Sequence, residues 1–105
     1  MTLDELSTLL QTTGLPVTYR AWPESEAPPP LPYLCYLESY SNNFAADGTV
    51  YYPISHVQVE LYEKLRDMET EGKVEAALSS VAFWEKTPTH IDEEECYQIL
   101  YEIEV

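Results

Sequence analysis

The sequence predicts an α+β fold in a single domain spanning residues 1–105. Three observations lead there. Two segments, around Leu3–Leu10 and Val74–Val81, carry apolar residues at helical spacing. Several other runs are rich in β-branched and aromatic residues and alternate in polarity. The elements follow the order α-β-β-β-α-β-β, without the strict βαβ alternation of a parallel α/β sheet. A mainly antiparallel sheet with both helices on one face is the expected architecture. The length of 105 residues suits one domain. An apolar fraction of 45%, with nine Tyr, two Trp and two Phe, supplies one modest core and argues against acidic disorder.

Thr2 and Glu5 have the spacing of a capping box, and Leu3, Leu6, Leu9 and Leu10 form one stripe, so residues 3–12 read as a helix. Gly14 stands where a helix-terminating glycine belongs. Residues 16–22 read as a strand. Five prolines between Pro23 and Pro32 forbid helix and central strand, so residues 23–32 read as a stiff proline-rich loop. Tyr33 to Tyr40 reads as a strand apolar on both faces, expected to be covered on both sides or to pack in an oligomer. Asp47-Gly48 is a turn signal between Phe44 and Val50-Tyr51-Tyr52, so about 40–52 reads as a protruding hairpin. Residues 56–62 alternate cleanly, with Val57, Val59 and Leu61 on the buried face. Lys64 to Asp67 reads as a polar connector, and Asp67 as the cap of a helix over 68–80. Its expected buried face is Val74, Ala77, Leu78 and Val81. Residues 83–87 read as a strand, Pro88 to Glu95 as a loop, and the last ten residues as a strand with Tyr97, Ile99, Tyr101, Ile103 and Val105 on one face.

Charge narrows the function. Nineteen Asp and Glu against five Lys and Arg give a net charge of −14. A folded chain of this mass exposes roughly 6,000 Å², or about one net negative charge per 400 Å². Such a surface repels a phosphate backbone and an anionic leaflet, so neither tight nucleic-acid binding nor membrane binding is expected. No apolar run reaches the length of a bilayer span, and the first ten residues lack the basic start of a signal peptide. The expectation is a chain made and folded in a cytoplasm.

Chemical motifs are sparse. The three glycines stand alone at 14, 48 and 72, and neither GxSxG nor HExxH occurs. His56 and His90 read as ordinary histidines. Cys35 and Cys96 match no CxxC or zinc spacing and read as two buried thiols, with a disulfide or a metal site as the alternative. The run Asp92-Glu93-Glu94-Glu95 lacks calcium-loop spacing and reads as an ion-attracting surface rather than a site. No catalytic residue, cofactor or metal is expected, and the chain does not read as an enzyme. The tyrosines are more informative, because tyrosine is enriched where an interface is apolar at one end and wet at the other. Phe44, Val50, Tyr51 and Tyr52 on the hairpin are the candidate subunit interface. Asp92, Glu93, Glu94, Glu95, Glu102 and Glu104 are the candidate acidic lumen or docking face.

Almost the whole chain also resembles a known family. The residues that carry the resemblance are Gly14-Leu15-Pro16-Val17-Thr18-Tyr19 after a short helix, Leu31-Pro32-Tyr33-Leu34-Cys35-Tyr36, and the segment from Asn43 to Tyr52. His56-Val57-Gln58-Val59-Glu60-Leu61-Tyr62, Phe83-Trp84-Glu85-Lys86 and the ending Leu100-Tyr101-Glu102-Ile103-Glu104-Val105 complete it. This pattern resembles the tail-completion or tail-terminator proteins, often labelled minor capsid proteins, of long-tailed phages and prophages of Gram-positive bacteria. The resemblance implies a tail-terminator-like α+β fold and a virion structural protein assembled in the bacterial host cytoplasm. It implies partners as well: further copies of itself, typically in a hexameric ring, and the tail-tube and head-connector proteins that the ring joins. DNA would pass through such a ring without being held. Two other readings stand beside it, another head–tail neck protein (a head-completion protein) and an acidic DNA-mimic inhibitor of a host enzyme.

Overall fold

Helix α1 (Leu3–Gln11) opens the chain on the capping box expected of it. The Glu5 backbone N–H donates to Thr2 Oγ1 and the Thr2 N–H donates to the Glu5 carboxylate, both at 3.1 Å. Such a cap contributes about 1 kcal/mol to a short helix. Gly14, at φ +82°, takes the left-handed turn that glycine adopts at least steric cost. The computed structural model describes residues 1–22, 27–41, 44–46, 49–52 and 54–105, with the backbone alone for 44–46 and 49–52.

Five strands form the main sheet: β1 (Val17–Tyr19), β2 (Tyr33–Ser41), β5 (Ser55–Glu63), β6 (Trp84–Ile91) and β7 (Cys96–Glu104). Their spatial order is β1-β2-β5-β7-β6. Every pairing is antiparallel except β1 with β2, which is parallel. Two short strands, β3 (Phe44–Ala46) and β4 (Thr49–Tyr52), pair with each other in a separate antiparallel ribbon. Helix α2 (Met68–Ser79) joins β5 to β6. The α+β class and the order of elements are as the sequence predicts.

One face of the sheet holds the core. Val57, Val59 and Leu61 of β5 lie opposite Ile103, Tyr101 and Ile99 of β7, and Leu34 and Tyr36 extend the layer onto β2. Leu6 and Leu10 of α1 and Val74 and Leu78 of α2 close over this layer, so both helices cover the same face. The alternation read in 56–62 and 97–105 is therefore the alternation of burial.

Three boundaries depart from the sequence reading. The first strand stops at Tyr19, where Arg20 turns the chain at φ +65°. The strand assigned to 83–87 instead runs over Trp84–Ile91, so most of the expected 88–95 loop is strand. Pro88 is tolerated because β6 is an edge strand, paired on one side only. Helix α2 ends at Ser79, which leaves Val81 outside it and 38% exposed. The buried side of α2 is Glu71, Val74 and Leu78, so a carboxylate occupies the helix turn nearest its start. The expected two-sided cover of β2 is partial: Leu34 and Tyr36 meet the helices, while Cys35 is buried on the face that carries no helix.

Candidate interaction surfaces

The candidate interface residues fall on the β3–β4 ribbon, where Phe44 pairs with Tyr52 and Ala45 with Val50. Tyr51 lies on the same strand as Tyr52. The Asp47-Gly48 turn, with residues 42, 43 and 53, lies outside the described residues, as do Pro23 to Glu26 of the proline loop. The ribbon is rooted at the end of the β2–β5 ladder. Ser41 and Ser55 are register partners on β2 and β5. Ser55 and Val105 exchange both backbone hydrogen bonds at 2.9 and 3.0 Å.

The acidic residues do not form one patch. Asp92, Glu93, Glu94 and Glu95 make the exposed turn between β6 and β7. Backbone bonds from Glu94 to Ile91 and from Glu95 to Asp92 close it, and Glu95 sits at φ +50°. Glu102 and Glu104 lie at the other end of β7, about 25 Å away at ~3.3 Å per residue. There Glu104 pairs in register with His56, and Glu102 approaches His56 Nε2 at 3.8 Å. Glu102 and Glu104 thus stand at the ribbon end of the sheet, and the 92–95 turn stands at the opposite end.

The ribbon end also carries exposed apolar surface that sequence reading missed. Phe83, in the α2–β6 connection, is 99% exposed. On one side of it lies an open hollow of about 490 Å³ lined by Ser79, Val81, Ala82 and Trp84. On the other lies a hollow of about 420 Å³ walled by His56, Glu85, Glu102 and Glu104. Tyr40 stacks on His56, with ring centroids 4.6 Å apart. No local pattern marks Phe83 as exposed in the sequence, where it opens the strand read over 83–87; β6 in fact begins at Trp84.

The helix-free sheet face holds Tyr33, Tyr62, Gln98, Glu60 and Cys35. Gln98 donates to Glu60 at 2.9 Å and to the Tyr62 hydroxyl oxygen at 3.0 Å. Burial pushes the Glu60 carboxyl up from its ordinary value and the Tyr62 phenol up to about 12. Burial likewise pushes the Cys35 thiol up to about 11, which leaves it a poor nucleophile. Cys35 and Cys96 are both free thiols and both buried, which excludes a disulfide between them in this structure.

An ionic cluster lies between α2 and the sheet, and it too was missed. Glu71 is fully buried and receives two hydrogen bonds from Arg66, each 2.9 Å. Lys86 of β6 reaches Glu71 at 2.7 Å and Glu75 at 2.8 Å, and the Tyr101 hydroxyl donates to Glu75 at 2.7 Å. The Arg66 hydrogen bonds, with Lys86 behind them, hold the Glu71 carboxyl down at about 2. Glu63 of β5 is 2% exposed, and among the described residues neither of its carboxyl oxygens has a hydrogen-bond partner. Of its charged members, Arg66 lies in the segment read as a polar connector, Glu71 and Glu75 in the helix read over 68–80, and Lys86 in the strand read over 83–87. The spacing Glu71-Val74-Leu78 was the available signal, a helix face continued by a carboxylate.

Among the described residues no group of three His, Cys, Asp or Glu is placed to hold a metal ion. No helix among them is long and apolar enough to cross a membrane. The chain matches no family model, no curated protein and no solved structure.

Proposed function

We propose that the protein is a virion structural subunit, a tail-terminator or tail-completion protein that caps a phage tail tube and joins it to the head. The observation that carries this reading is the ribbon end of the sheet. A ring closes through heterologous contacts, which require two unlike patches on each subunit. The β3–β4 ribbon, which pairs apart from the main sheet, is one such patch; the Phe83 turn with its flanking hollows is the other. The resemblance read from the sequence points to this assembly, and the net charge of −14 suits a lumen along which DNA slides without sticking. The partners in this reading are further copies of the chain, in a ring of six, and the tail-tube and head-connector proteins.

Sedimentation and negative-stain imaging of the purified chain, alone and with tail tubes, test it. Closed rings are expected in solution or on tube ends, and they should be lost when residues 42–53 are replaced by a short turn that leaves the fold intact. A chain that stays monomeric at every concentration and does not decorate tube ends overturns the reading.

A further inference from the structure

We propose that the Glu63 carboxyl is a proton-binding site, that its proton is donated to Glu71, and that this shared proton latches α2 to the sheet. Arg66 and Lys86 supply two positive charges to the cluster, and Glu71 and Glu75 supply two negative charges that they contact directly. The four balance. Glu63 is a fifth ionisable group, on β5, 98% buried against the same cluster. If ionised, it leaves one uncompensated negative charge in the interior, which is among the costliest arrangements a fold can hold. A neutral Glu63 removes that charge and turns an acceptor-only group into a donor.

The surroundings of Glu63 agree with this. From α2 it faces Glu71, with Glu75 one turn further on; from the 64–67 connector, Asp67 and Arg66; from β6, Lys86; from β7, Tyr101 and its register partner Tyr97. Both cations in this set are already bonded to Glu71 or Glu75. Asp67 acts in both directions: its backbone N–H favours the ionised form of Glu63, and its carboxylate, occupied by the N–H groups of Glu69 and Thr70, repels that form more weakly. Lys64 leans away to Glu95 at 3.8 Å. Burial comes first, then the neighbouring Glu71 carboxylate, which favours a protonated Glu63 able to donate to it; together they push the Glu63 carboxyl up to about 7. The proton therefore leaves near neutrality.

The consequence has a definite sign. An unfolded Glu63 loses its proton near the ordinary glutamate value, so between that value and about 7 the folded chain holds the extra proton. Stability from this group is complete in mild acid, falls as pH rises towards 7, and is lost above it. The strain appears at the seam between α2 and β5, where Glu71 and Glu63 then repel.

Carboxyl carbon NMR of the wild-type chain reads the proton directly. A Glu63 midpoint near 7 is expected, and an ordinary midpoint near 4.5 overturns the proposal. Urea unfolding gives a second reading. Between pH 5 and pH 8 the unfolding constant of the wild type should rise on the order of a hundredfold more than that of Glu63→Gln, whose amide mimics the neutral acid. Equal pH slopes overturn the proposal. If the variant does not fold, the NMR midpoint on the wild type decides alone. Stability at pH 8 that rises with added sodium or potassium, but not with an equal ionic strength of tetramethylammonium, would make the bound species a metal cation and also overturn it.

Discussion

Lys86 Nζ stands 2.7 Å from Glu71 Oε1, the carboxylate of a side chain with no exposed surface. The contact joins the edge strand β6 to helix α2 across the core layer. Edge strands are held by one neighbour, so a charge pair of this kind adds a second attachment.

Lys86→Met should therefore destabilise the fold by about 2–4 kcal/mol, since it leaves Glu71 and Glu75 short of a cation in a desolvated site. The measurement is the urea midpoint at pH 6. Arg66→Ala removes a partner that is itself one-third exposed, so about 1–2 kcal/mol is expected there after solvent screening. A larger loss from Arg66→Ala than from Lys86→Met would contradict this ordering.

Acid should act through Glu71. Its carboxyl is held down at about 2 by Arg66 and Lys86, below the ordinary glutamate value. A lowered value means that the stabilisation is present above pH ~4.5 and is lost as pH falls through about 2. Thermal midpoints measured from pH 5 to pH 2 should fall, and Glu71→Gln should start lower and fall less.

The thiols should be silent in the native state. Cys35 and Cys96 are each 3% exposed, and burial raises both from the ordinary thiol value. Ellman's reagent at pH 8 should label neither until urea unfolds the chain, and then label both. Rapid labelling of the native protein would place at least one thiol outside the packed sheet.

Glu95 closes the β6–β7 turn at φ +50°, a region that costs a side-chain-bearing residue free energy and costs glycine little. Its contact with Lys64, at 3.8 Å between two exposed side chains, contributes little in return. Glu95→Gly should raise stability by about 0.5–1 kcal/mol, read as an increase in the urea midpoint without change in slope. A decrease would show that the turn depends on the glutamate side chain.

What was legible in the sequence follows from period. Val57-Val59-Leu61 and Ile99-Tyr101-Ile103 alternate because one side of each strand is buried, and the Thr2–Glu5 box sets a helix start by local bonding alone. These are short-range patterns. Where strand β6 would end was not legible, because Pro88 signals a break and only its edge position in the sheet makes the strand permissible. The ionic cluster was also hidden. Glu63, Arg66, Glu71 and Lys86 become neighbours only when α2 folds back over β5, β7 and β6, and each alone looks like a surface charge. Of the candidate surfaces, the ribbon emerged from the Asp47-Gly48 signal, while Phe83 emerged only in three dimensions.

Ser41 and Ser55 face each other across the β2–β5 ladder, so the thirteen residues between them leave and rejoin the sheet within one strand spacing of about 5 Å. The ribbon is thus a detour whose length is independent of strand register. Residues can be added or removed there without sliding β2 on β5, and the hydrophobic layer beneath does not register the change. Selection, or a designer, can lengthen, shorten or rewrite this cassette to match a different neighbour while the same scaffold goes on folding.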